Sequence, residues 1–241
     1  MKATVALGPE GVQQALQQKQ LIIIVDILRF SSTVTTAVAN GFQIIPASTP
    51  MRAETLSRET GIPFPSMNGT HPYTLSPLDY LNPKHPEPVI LVSPNGAACT
   101  ELIKDNETAF FGCFLNARTV GRVVGSLAAR LQKNVAVIAA GEAQEDQFSD
   151  LHHRRFAVED YLGCGSILCE LRVDLTPEAL VCKRAYESSI VDLPQLIQHS
   201  ISGRYLTDRG KAYDISHCVQ RSICDIVPAV DGQRIKLFRG E

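Results

Sequence analysis

Two stretches, LIIIV at Leu21 to Val25 and VAVIAA at Val135 to Ala140, contain no polar residue. A strand with one wet face alternates polar and apolar side chains. An unbroken apolar run of this length marks a strand covered on both faces. Further β-rich runs lie at Ala3 to Leu7, Gln43 to Pro46, Val89 to Ser93, Ala109 to Gly112 and Ile226 to Val230. Between them lie helical patterns at Gly11 to Gln18, Ser32 to Asn40, Met51 to Arg58, Gly96 to Lys104, Ala117 to Gln132 and Phe156 to Leu171. This alternation predicts an α/β fold, a largely parallel or mixed sheet sandwiched between helices in three layers. A mainly helical C-terminal portion follows, with room for a small subdomain near 176–220 inside a single domain spanning 1–241. Gly61 to Pro88 holds half of the fourteen prolines and reads as a long irregular excursion.

The formal net charge of -2 leaves no electrostatic footprint for nucleic acid or an anionic membrane. The opening MKATVALGPEGVQQ has one Lys and no long apolar stretch, unlike a secretory leader. No apolar run approaches the roughly 20 residues that span a bilayer. A cytoplasmic location is therefore expected. The seven cysteines form no Cys-x-x-Cys pair and read as buried, reduced thiols.

Ligands of open parallel sheets bind beyond the C-terminal strand ends. Asp26 lies at such an end, where a carboxylate suits a hard cation such as Mg²⁺ or attack on an electrophile. Ser31 or Ser32 is placed to cap the next helix, whose first N–H groups favour an anion. Arg29 adds a planar fork for phosphate or carboxylate. The plainer alternative makes Asp26 a turn residue, Arg29 a surface charge and Ser31 a cap. In LVSPNGAACTEL, Asn95-Gly96 turns from a strand into a helix, on the edge that holds Asp26 if both strands are parallel. Asn95 either contacts ligand or only makes the turn. VAVIAAGE ends on Glu142. RRFAVEDYLGCGSIL puts Glu159 and Asp160 in the first turn of a helix, where the dipole favours acids and where a Mg²⁺ site would also want them. Neighbouring helical residues point about 100° apart, so both need not be ligands. Gly163 and Gly165 permit close packing of that helix. His152 and His153, in the polar loop 142–155, read as solvated. There is no P-loop and no Gly-x-Ser-x-Gly elbow.

Taken in order, VDILRFSSTVTTAVANG, LSP at Leu75 to Pro77, SPNGA, LNARTV, AAGE, RFAVEDYLGCGSI and SGRYLTDRGKAYDISHC resemble the motifs of the 2-phosphosulfolactate phosphatase family. The resemblance implies a Mg²⁺-dependent acid phosphatase that converts 2-phospho-3-sulfolactate to 3-sulfolactate, a step toward coenzyme M in methanogens. It matches Asp26, Arg29, Ser31 and Thr33 to the first motif and Asn95 and Gly96 to the Asn-Gly turn. Asn116 matches an Asn-Ala pair. Glu142, Arg155, Glu159 and Asp160 match the acidic motifs, and Gly203, Arg204, Gly210 and Asp214 the late one.

The expected roles follow. Asp26, Arg29 and Glu159 are catalytic. Asp26, Glu142, Glu159 and Asp160 hold Mg²⁺. Ser31, Ser32, Thr33, Asn95, Gly96, Asn116, Arg155 and Arg204 bind a small phosphorylated organic acid. Analogy with the family and the apolar helical C-terminal region point to a homodimer. The chain departs from many members in lacking a Gly-Glu-Arg element at SRETGIPF, and in having Thr74-Leu75-Ser76-Pro77 for Gly-Asn-Ser-Pro. Two alternatives stand beside this reading. One is a phosphatase of the same fold acting on another phosphorylated hydroxy acid. The other is a non-catalytic anion-binding regulator.

Overall fold

The computed structural model describes residues 1–64, 72–103, 108–144 and 154–240. The chain runs β1 (Lys2–Leu7), α1 (Gly8–Gln17), β2 (Leu21–Val25), α2 (Phe30–Ala39), β3 (Ile44–Ala47) and α3 (Pro50–Thr60). After a 3-10 turn at Pro77–Tyr80 come β4 (Val89–Val92), α4 (Gly96–Thr100), β5 (Ala109–Gly112), α5 (Ala117–Leu131) and β6 (Val135–Ala139). The hairpin β7 (Glu142–Ala143) and β8 (Arg154–Arg155) precedes α6 (Val158–Leu168) and β9 (Asp174–Leu175). Then follow α7 (Pro177–Ser189), α8 (Leu193–His199), α9 (Ile201–Asp208), α10 (Ala212–Cys218), β10 (Pro228–Asp231) and β11 (Arg234–Leu237).

Among the described residues one sheet has the order β4-β3-β11-β10-β5-β2-β6-β1-β9. β2 lies at its middle, parallel to β5 on one side and β6 on the other. The unbroken apolar runs are explained by what covers them. Ile23 and Val25 face a layer built on Val120, Val124, Leu162, Ile167 and Cys182. Ile22 and Ile24 face Val12, Ala15, Val34 and Ala97 on the other side. Each such aliphatic side chain, fully buried, contributes about 1.5–3 kcal/mol. The expected three-layer α/β architecture with a mixed sheet is what forms. Residues of α7 to α10, among them Tyr186, Ile197, Leu206 and Cys218, belong to the same apolar cluster as one sheet face. All seven cysteines are free thiols, five of them buried. Among the described residues no helix is long and apolar enough to cross a membrane.

Some elements differ from expectation. The single strand expected at Ile226 to Val230 is a hairpin, β10–β11, turning through Gly232 at φ 60°. It lies antiparallel between β5 and β3. Through those pairings β3 and β4 run nominally opposite to β2, so the expected parallel relation of β4 to β2 does not hold. The loop after β4 nevertheless reaches the end of β2, where the Gly96 N–H donates to Asp26 Oδ2. The polar loop expected at 142–155 begins and ends in the β7–β8 pair. His152 and His153 lie outside the described residues.

Gly163 lets α6 press on the sheet: a Cβ there would stand 2.6 Å from Cδ1 of Ile27 and 2.8 Å from Cγ1 of Val25. Gly163→Val is expected to cost about 1–3 kcal/mol through overpacking, read as a lower urea midpoint with an unchanged m-value.

Candidate active site

The loop after β2 closes on Asp26. Its Oδ1 accepts the Phe30 N–H at 3.0 Å and its Oδ2 the Gly96 N–H at 2.8 Å. The first N–H groups of α2 were expected to face an external anion; that of Phe30, and that of Gly96 at the start of α4, face the Asp26 carboxyl instead. The Asp26 N–H donates to Ser31 Oγ at 3.0 Å, and Ser31 Oγ donates to the Ile24 carbonyl at 3.1 Å. Ser32 donates to the Ile27 carbonyl and Thr33 to the Leu75 carbonyl. All three hydroxyl residues are fully buried. Their expected role as ligand-binding hydroxyls is therefore corrected: a helix covered on every side turns its hydroxyls onto backbone carbonyls.

Asp160, in the first turn of α6, repeats the Asp26 pattern. Its Oδ1 accepts the Ile27 N–H at 2.7 Å and its Oδ2 the Gly141 N–H at 3.0 Å. Glu159 is equally buried, and among the described residues no hydrogen bond or ion pair engages its carboxylate. Glu142 accepts from Asn95 Nδ2 at 3.2 Å. Asn95 Oδ1 in turn accepts the Ala143 N–H at 2.8 Å and Nη1 of Arg154 at 3.3 Å. Arg154 also donates to the carbonyls of Pro94, Ala140 and Gly141, joining the loops after β4 and β6. The sequence reading passed over Arg154 in favour of its neighbour; only the short β8 strand, which sends adjacent side chains to opposite faces, distinguishes the two. Arg155 stands opposite Glu142 in the hairpin, and its guanidinium has no partner among the described residues. Gly96 is needed for fit: a Cβ would stand 2.3 Å from the Phe30 ring.

Two expected binders are placed elsewhere. Asn116 is fully buried, accepts the Cys113 N–H and donates to the carbonyls of Phe111 and Ile226, so its amide organises the loop after β5 and has no spare donor. Arg204 is exposed on α9, and its Nη1 donates to the His199 carbonyl at 2.7 Å, capping α8. No bond joins it to the loop cluster among the described residues. Arg29, by contrast, stays partly exposed and forms an ion pair with Asp214 of α10.

Asp26, Glu142, Glu159 and Asp160 lie within one another's fields. Burial pushes the Asp26 carboxyl up to about 7; the charges of Glu142 and Glu159 add to this, and the Phe30 and Gly96 N–H groups oppose it. Burial, then the charges of Asp26 and Glu159, hold Asp160 well above the usual carboxylate range. Among the described residues no three His, Cys, Asp or Glu side chains form a ready-made metal cage. The donor chemistry nevertheless fits Mg²⁺, which takes oxygen ligands and commonly only one or two carboxylates, the rest being water and substrate oxygens. The unpaired Glu159 is the donor freest to serve, and a cation would relieve the crowding of like charges.

A three-layer α/β scaffold that buries coupled carboxylates at the ends of β2 and β6, with a partly exposed arginine three residues after Asp26, suits phosphoric monoester hydrolysis. The chain belongs to the 2-phosphosulfolactate phosphatase family: the family model described as 2-phosphosulpholactate phosphatase matches residues 6–233. It is 30% identical to the 2-phosphosulfolactate phosphatase of Methanothermobacter thermautotrophicus, over 90% of this chain and 90% of that one. It is 28% identical to a probable 2-phosphosulfolactate phosphatase of Pseudothermotoga lettingae, over 89% of this chain and 91% of that one.

Between about pH 3.8 and about 7 Asp26 keeps a proton in the folded protein that the unfolded chain has lost. The folded state binds more protons there, so stability falls as pH rises through that window. Metal-free protein melted in EDTA should lose melting temperature up to about pH 7 and then level off, and Asp26→Asn should flatten that decline.

Proposed function

We propose that the protein hydrolyses 2-phospho-3-sulfolactate to 3-sulfolactate and inorganic phosphate with Mg²⁺. The observation that carries this reading is the electrostatic coupling of Asp26 after β2 with Glu142 of β7 and with Glu159 and Asp160 of α6, in a chain of this family. One or two of the carboxylates Glu159, Glu142, Asp26 and Asp160 would hold the cation, Glu159 first among them, with water and substrate oxygens completing its shell. When bound, Mg²⁺ neutralises phosphate-oxygen charge and orients the ester. Arg29 grips the phosphoryl group through its planar donors. Arg155, unpaired on the hairpin, meets the substrate's carboxylate or sulfonate; the sulfonate is a permanent anion at neutral pH. Asp26, held by two N–H groups, keeps one orientation throughout. Its raised pKa in the metal-free state means that the cation also draws it into the charged form. The family reading carries with it a cytoplasmic homodimer acting on the route to coenzyme M.

Asp26→Asn should lower kcat/KM by at least about a hundredfold, measured as phosphate release with Mg²⁺. Near-normal turnover would remove Asp26 from the chemistry. In a substrate panel the sulfonated ester should be preferred over phospholactate; the reverse order would favour a phosphatase for another hydroxy acid. Phosphate binding without turnover under any divalent cation would favour the anion-binding regulator.

A further inference from the structure

Arg29 and Asp214 are 185 positions apart in sequence yet form an ion pair, with Nη1 of Arg29 on Oδ2 of Asp214. The other oxygen, Oδ1, accepts the Ser76 hydroxyl at 2.5 Å. Asp214 is buried, and both its oxygens are engaged by these two partners. We propose that Asp214 is a positioning residue: it sets the plane of Arg29 toward the phosphoryl group, and Ser76 sets Asp214. This rests on the phosphatase reading, since the posture of Arg29 matters there only if Arg29 grips substrate.

A guanidinium is planar, so fastening one Nη orients the remaining donors together. The side chain of Arg29 keeps 16% of its surface open while that of Asp214 keeps 2%, so the fastened end is inside and the free donors lie toward solvent. Pairing offsets much of the arginine's charge. What Asp214 gives is therefore direction rather than added attraction for an anion. The frame behind it is firm on two sides. One turn along α10, His217 Nε2 lies 3.0 Å from Thr36 Oγ1 of α2. That hydroxyl already donates to the Ser32 carbonyl, so the imidazole donates from Nε2. On the other side Thr33 Oγ1 donates to the Leu75 carbonyl at 2.7 Å, tying the segment that carries Ser76 to α2. The helical C-terminal portion and the part of the proline-rich excursion that carries Ser76 thus meet at one carboxylate, the one that pairs with Arg29.

The test compares wild type, Arg29→Met, Asp214→Asn and the double variant, each checked for folding by thermal melting. Two quantities are read: kcat and KM on 2-phospho-3-sulfolactate, and calorimetric affinity for inorganic phosphate. Asp214→Asn should lose about ten- to a hundredfold in kcat/KM, mostly in kcat. The double variant should be no worse than Arg29→Met, because a positioning residue has nothing left to position. Asp214→Glu should recover part of the loss, and Ser76→Ala should show a smaller loss of the same kind. Losses that multiply in the double variant, or wild-type behaviour of Asp214→Asn, overturn the proposal. A wild type that binds phosphate but does not turn over the ester defeats the phosphatase reading, and the same four-way comparison of phosphate affinity then decides the role of Asp214. A wild type that does neither overturns both.

Discussion

Two buried carboxylates hold the catalytic end of this molecule together. Asp26 and Asp160 each accept two backbone N–H groups, one per oxygen, and the four donors come from the loops after β2, β4 and β6. Each of these bonds strengthens when its carboxyl ionises, and burial raises the stakes of each. The clamps define where the strand ends stand relative to one another. Every other candidate group, from Glu159 to Arg29, is placed with reference to them.

The same arrangement carries a cost. Burial first, and then the charges of neighbouring acids, drive the Asp26 and Asp160 carboxyls upward. A fold selected for stability alone would replace such a cluster with apolar groups. On the proposed function, its presence at the mouth of a well-packed sheet is chemistry held ready, and a divalent cation with an anionic ester would supply the missing countercharge and ligands.

The individual site residues were legible to different degrees. Asp26, Glu142, Glu159 and Asp160 were visible because each follows an apolar strand or opens a helix, positions that project toward the ligand edge of an α/β sheet. The hydroxyls of Ser31, Ser32 and Thr33 were misread because sequence shows which residues begin a helix but not that the helix is buried all round. Asn116 and Arg204 were misread for a related reason: a side chain that satisfies nearby backbone carbonyls looks, in one dimension, like one that awaits a ligand. Arg154 was not singled out, and Asp214 and Ser76 were matched to motifs without being joined to each other, since their partners lie in distant segments.

Sequence by itself determined the layers. Continuous runs such as LIIIV must be covered on both faces, and their alternation with helices leaves little besides a three-layer α/β fold. It also determined which acids stand at strand ends. Only the tertiary structure decided the insertion of β10–β11 between β3 and β5, because that pairing joins residues far apart in the chain. The same is true of the meeting of Gly96 with Asp26, and of the seating of Arg29 on Asp214. Periodicity reports what a segment hides from water; it carries no information about which distant carboxylate, amide or guanidinium will be there to meet it.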